Sequence, residues 1–109
     1  MKEQVIRQGN REIYFMGELL FEETTHEEEG PNKSRWWRAM LFKHEHGYYR
    51  VGVAFISKWE DTDRHQFFKH DSSDRDEIIS YIAKHDQKLA DKVRERWDHH
   101  ATVGNRMES

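Results

Sequence analysis

Two histidines flank a carboxylate at His44-Glu45-His46, and two tyrosines follow at Tyr48 and Tyr49. On a strand, a His-x-His pair puts both rings on one face, where a metal can use them. The chain has no cysteine, so any transition-metal site must draw on histidine and carboxylate ligands. Eight histidines are available: His26, His44, His46, His65, His70, His85, His99 and His100. Asp61, Asp63 and His65 also lie close in sequence. The local patterns argue against a site, however. His46-Gly47 reads as a turn, which takes His46 out of line with His44. No H-E-x-x-H is present, and residues 71–77 lack the glycine and terminal glutamate of a calcium loop. Surface imidazoles titrating near neutral pH are expected, with no resident metal and no cofactor.

Nucleophilic chemistry has as little support. There is no glycine-elbow serine and no phosphate-cradling loop. Carboxylate pairs are numerous only because the whole surface is charged. No catalytic residue is assigned. A metal-dependent enzyme built on fold-assembled histidines and carboxylates is the lesser alternative.

The composition sets the frame for any site. At 109 residues the chain is expected to be one domain over 1–98, with a flexible tail over 99–109. Hydrophobic residues make up 35% and charged residues 36%, so the core must be small; the 13% of aromatic rings compensates through area per ring. Lack of cysteine fits a reducing, cytoplasmic setting. No apolar run approaches a membrane span, and no membrane partner is expected. The net charge of −3 argues against a dedicated nucleic-acid protein.

The elements that must position any site fall in a simple order. The first half alternates with period two and the last third with a period between three and four. Strands are predicted over about 2–8, 11–22, 34–45, 48–59 and 64–70, with helices over about 74–85 and 87–98. The class is therefore α+β: an antiparallel meander with C-terminal helices on one sheet face. Gly9-Asn10 is a two-residue hairpin turn that opposes Arg7 to Glu12 and Ile6 to Ile13. Gly17 inside the second strand suggests a bulge or a close backbone approach. Residues 22–29, rich in glutamate, read as an exposed loop. Ser73 or Asp74 caps the first helix, and Asp86 the second.

The hairpin between the third and fourth strands determines the faces. With His46-Gly47 as the turn pair, Phe42 opposes Val51, Met40 opposes Val53 and Arg38 opposes Phe55. Lys43 then faces Arg50, and His44 faces Tyr49. A three-residue loop would instead oppose Phe42 to Arg50, and hydrophobic matching disfavours it. The expected core sets Ile6, Ile13, Phe15, Leu19, Phe21, Met40, Phe42, Val51, Val53 and Phe55 against Ile78, Ile82, Leu89, Val93 and Trp97.

The same register leaves a second sheet face bearing Tyr14, Arg35, Trp37, Leu41, Lys43, Tyr48, Arg50, Ile56 and Lys58, with the small residues Gly52 and Ala54 at its centre. Tryptophan, tyrosine and arginine are enriched at binding hot spots. The expected function is a small non-catalytic binding protein of the adaptor, inhibitor or immunity type. It would act through this aromatic and basic face on a protein partner, a second copy of itself, or both. The alternative use of the face is a single-stranded nucleic-acid platform. In the plain structural reading, Glu12, Glu18 and Glu22 pair with the cations across strands.

Overall fold

The computed structural model describes residues 1–25, 35–57 and 65–108, with side chains to His99. Five antiparallel strands follow one another in sequence and in space: β1 (Lys2–Gln8), β2 (Arg11–Thr24), β3 (Arg35–His44), β4 (Tyr49–Ser57) and β5 (Gln66–Ser72). Two helices follow, α1 (Arg75–His85) and α2 (Gln87–Glu108). The α+β meander with C-terminal helices on one sheet face is the predicted architecture. The acidic stretch after Thr25, and Lys58, fall outside the described residues.

Hairpin β1–β2 has the predicted register, with Arg7 opposite Glu12 and Ile6 opposite Ile13. Gly9 takes φ +59°, the positive value that a turn beginning with glycine requires. The hairpin then curls over the sheet. The Gly9 amide donates to the Phe67 carbonyl of β5 at 2.9 Å, and the Ile6 side chain lies over Gly52 of β4. The curl gives the sheet a convex and a concave face.

The β3–β4 register differs from the expected one. Leu41 opposes Val51, Ala39 opposes Val53, Trp37 opposes Phe55 and Phe42 opposes Arg50. The loop is the three-residue Glu45-His46-Gly47, with the His44 amide donating to the Tyr48 carbonyl at 2.8 Å and Gly47 at φ +94°. A glycine in the left-handed region at the last loop position is the usual solution for three-residue hairpins. The cost of opposing Phe42 to a cation is removed by Asp71 of β5, which lies opposite Arg50 on the other side and pairs with it.

This register, with one bulge, divides the apolar residues between two clusters. Leu19 pairs with Phe42 and Phe21 pairs with Leu41, so Leu20 is the extra residue and the strand changes face there. The convex cluster joins Phe21, Ala39, Leu41, Val51 and Val53 to Ile78, Ile79, Ile82, Leu89, Ala90, Val93 and Trp97 of the helices. The concave cluster is Ile6, Phe15 and Phe42, with Ile13 and Met40 against it. Ile6, Ile13, Phe15, Met40 and Phe42 were expected under the helices and instead occupy the opposite face. Leu19 is 39% exposed rather than core.

Helix chemistry follows the expected signals. Asp74 caps α1, its side chain accepting from the Asp76 amide at 2.9 Å, and Asp76 and Glu77 occupy the first turn. Asp86 is extended, breaks the helix, and accepts from the Leu89 amide at 3.1 Å to start α2. The helical backbone continues beyond Trp97 to Glu108, through a stretch expected to be a flexible tail.

Gly17 is the close approach rather than the bulge, which falls three residues later. A Cβ there would lie 2.7 Å from the Lys43 carbonyl oxygen and 2.9 Å from the Phe15 ring. Gly17→Ala should therefore destabilise the fold by about 1–3 kcal/mol, the usual range for an overpacked site. Urea unfolding measures this; an unchanged midpoint would mean that the β2–β3 contact is looser than described.

Candidate functional site

The concave face is not filled. Beyond the plug of Ile6, Phe15 and Phe42 it opens into a cleft of about 1030 Å3. This is at the upper end of the roughly 300–1,000 Å3 typical of small-molecule sites. The cause is local. On β4 the residues facing the cleft are Gly52, Ala54 and Ile56; Ile6 covers Gly52, and Ala54 is too small to occupy the space above it. The register places Met40, Arg38 and Trp36 of β3 along one side and Phe67 of β5 along the other. Val5, Arg7 and Tyr14 of the curled hairpin complete the wall.

The polar groups of the cleft are already matched. Arg38 donates from Nε and Nη2 to the same Glu22 oxygen, with the Nε bond at 2.9 Å. Arg7 lies 3.5 Å from Glu12 and 5.4 Å over the Phe67 ring. The Tyr14 hydroxyl donates to Glu12 at 2.6 Å. That bond, reinforced by Arg7, holds the Glu12 carboxyl below its ordinary value, and Glu12 in turn raises the Tyr14 phenol. A general acid at neutral pH needs a raised carboxyl, so Glu12 is tuned in the wrong direction. The His65 Nε2 proton is directed to the Ser57 carbonyl at 2.9 Å. Among the described residues of the cleft, these charged and hydroxyl groups therefore bond to one another.

The other end of the concave face is closed by a buried polar network. Arg50, 7% exposed, donates from Nε and Nη2 to the two Asp71 oxygens at 2.7 and 2.9 Å. Lys69 reaches the same carboxylate at 2.8 Å, and Arg50 also donates to the Tyr48 hydroxyl at 3.2 Å. Burial alone would raise the Asp71 carboxyl, but hydrogen bonds from Arg50 and Lys69 outweigh it and hold it low. The His44 ring stacks on Tyr48 at 4.3 Å, Phe15 at 5.6 Å and His46 at 5.0 Å, and its Nδ1 accepts from the His46 amide. Burial, then the nearby Arg50 guanidinium, push the His44 imidazole below its ordinary value. Among the described residues, no three histidine, aspartate or glutamate side chains are grouped to hold a metal ion.

The face proposed from sequence does not assemble as one surface. Leu41 is 1% exposed beneath the helices, and Trp37 is half-buried there, 4.7 Å from Phe55 and 5.5 Å from His85. Lys43 shares their side and sits 4.2 Å over the Tyr49 ring instead of facing Arg50. Arg50 and Ile56 point to the concave face, where Arg50 is buried and Ile56 lines the cleft. Tyr48 is at the closed end, and Tyr14, 60% exposed, is at the cleft wall. Arg35 is exposed at the start of β3, and Lys58 lies outside the described residues. The three-residue loop accounts for the separation: it puts the odd residues of β3 and the even residues of β4 on opposite sides. Trp36, Arg38, Met40 and Phe67 were missed as site residues for the same reason. The usable signal was Gly52 and Ala54, small residues in the middle of an otherwise bulky strand.

No protein-family description matches the chain, no curated protein matches it, and no solved structure matches it.

The Arg50–Asp71 pair gives a test of the closed end. A carboxyl with a depressed folded-state pKa contributes stability that is present above its unfolded value and lost as the pH falls through the folded one. Breaking a buried pair costs about 3–5 kcal/mol, and Asp71, 31% exposed, belongs at the low end. Asp71→Ala should lose about 3 kcal/mol at pH 7. The gap from wild type should narrow below pH ~3.8, the ordinary aspartate value. Urea midpoints across pH 2–7 provide the comparison, and a gap independent of pH would contradict the assignment.

Proposed function

We propose that the protein is a non-catalytic binding protein whose ligand is a small, largely apolar molecule held in the concave cleft. The observation that carries this reading is the cleft left open beside Ala54. Small barrels and sandwiches normally fill their interiors with side chains, and an unfilled apolar cleft exposes surface that a ligand can cover. Burial of such surface stabilises a complex by about 25 cal/mol per Å2 before the costs of association are subtracted.

The reading keeps the binding role expected from the sequence and moves it to a different set of residues. Tyr14 and Ile56 remain in it, while Trp36, Arg38, Met40 and Phe67 replace Trp37, Leu41 and Lys43. The paired state of the cleft's charges supports binding over catalysis, since an ion pair formed in advance gives orientation and specificity without supplying a reactive group.

Filling the cleft is the direct test. The uncharged fluorophore N-phenyl-1-naphthylamine should bind the wild-type protein at a single saturable site. Ala54→Trp, which occupies the floor with an indole, should weaken that binding at least tenfold while leaving the far-UV circular dichroism unchanged. Absence of saturable binding, or equal binding by a folded Ala54→Trp protein, would refute the reading.

A further inference from the structure

The β3–β4 tip lies away from the open cleft and does not depend on what the cleft holds. We propose that His44 makes this tip acid-sensitive: one proton taken up by its imidazole opens the three-residue loop.

The loop bonds give the first argument. The His44 ring is 7% exposed and lies nearly parallel to Tyr48 at 4.3 Å and to Phe15 at 5.6 Å. Its Nδ1 accepts from the His46 amide at 3.1 Å. That bond needs the neutral tautomer, with the ring proton on Nε2. Protonation turns Nδ1 into a donor facing another donor, so the bond is lost. Two backbone bonds close the same loop, His44 amide to Tyr48 carbonyl at 2.8 Å and Gly47 amide to His44 carbonyl at 2.9 Å. All three converge on His44, so the side chain that titrates belongs to the residue that anchors the loop.

The surrounding charges give the second argument. From β4 the guanidinium of Arg50 faces the ring, and Asp71 of β5 lies behind it, bonded to Arg50 and Lys69. From β2 the neighbours are Phe15 and Gly17, and Gln4 of β1 donates to the Gly17 carbonyl at 3.4 Å. Lys2, opposite Gly17, brings a further cation rather than a carboxylate. On β3, Lys43 turns to the other face and lies over Tyr49. In the loop, the His46 ring is 5.0 Å away, and Glu45, 44% exposed at its side chain, lies 3.7 Å from the His46 Nε2. Among the described residues, an added proton therefore meets a buried guanidinium and no uncommitted buried carboxylate. Burial first, then Arg50, hold the imidazole below its ordinary 6.5. A histidine with a depressed folded value supports the folded form above 6.5, and that support is lost as the pH falls through the folded value.

Amide hydrogen exchange at pH 7.5 and pH 5 reads the opening directly. Both conditions lie above the ordinary aspartate and glutamate values of 3.8 and 4.5, so the response belongs to histidine. Protection of the His44 and Glu45 amides should fall at least about threefold on acidification. It should fall by no more than about 30-fold, the limit for one proton that binds only the open loop at pH 5. The Ile79 and Ile82 amides of α1 should keep their protection. His44→Asn places an oxygen near the Nδ1 position that takes up no proton, and should abolish the fall. His46→Ala removes the exposed ring but keeps the amide. His85→Gln removes the other histidine that burial holds low. Both of these variants should respond as wild type does. In wild type, the His44 ring and the His46 amide should titrate together in NMR spectra, with a midpoint below 6.5. A pH-independent protection, the same fall in folded His44→Asn, an equal fall in α1, or a His44 midpoint at or above 6.5 overturns the proposal. If His44→Asn does not fold, the wild-type titration decides by itself.

Discussion

Gly47 sits at φ +94°, and the pairing of the central strands depends on it. A residue with a side chain is strained there, whereas glycine is not, so the loop closes after three residues. That count fixes the parity of β4 against β3. With it, Leu41, Val51, Ala39 and Val53 share the convex face and meet the three isoleucines of α1. With any even-numbered loop, Arg50 would turn toward the helices and Val51 toward the cleft. One backbone angle thus selects which apolar residues form the main core and which small ones are left to line a cavity.

The cleft follows from the curl of the sheet and the size of its inward side chains. Five strands curl far enough for Gly9 to bond to Phe67 and so enclose a concave volume. The residues divide that volume unevenly. At one end, Phe15 and Phe42 meet edge to face at 5.1 Å, and Arg50, Asp71 and Tyr48 complete a dense network. At the other, the small Ala54 lies between Arg38 and Phe67, and Ile56 lies opposite Trp36. The closed end supplies rigidity, because truncating either partner of a buried ion pair leaves a charge without compensation. The open end can then remain unfilled without the hairpin collapsing onto it.

Much of this architecture was legible in the chain. Gly9-Asn10 announced the first hairpin, and its register followed from one charge pair and one apolar pair. Asp74 and Asp86 marked the starts of two helices, and the stripes Ile78, Ile82 and Leu89, Val93, Trp97 identified their buried sides. The central register was not legible, for a specific reason. Matching neighbours by hydrophobicity assumes that a cation opposite Phe42 is unfavourable, yet Arg50 finds Asp71 on the next strand, twenty-one residues on. That partner belongs to a strand whose pairing could be known only after the fold. The bulge at Leu20 was hidden in a different way. Leu19, Leu20 and Phe21 form an unbroken apolar run, and a run has no parity from which a change of face could be read.

The candidate site was therefore half visible. Gly52 and Ala54 drew attention as small residues in a strand, and Tyr14, Arg50 and Ile56 were placed near them. Their companions were exchanged for residues one position away: Trp37 for Trp36, Leu41 for Met40. A slip of one residue transfers every side chain of a strand to the other face, so an error confined to one loop misassigned a whole wall. The paired tryptophans show the consequence most clearly. Because they are adjacent on one strand, their rings had to point to opposite faces, and the composition of the pair could not say which ring meets the helices. Trp37 packs between Phe55 and His85 under the helices, and its amide is held by the Thr25 hydroxyl at 3.0 Å. Trp36 is opposite Ile56 at the cleft. The role of each ring is set by the parity that Gly47 imposes, eleven and ten residues away, and not by the residue type.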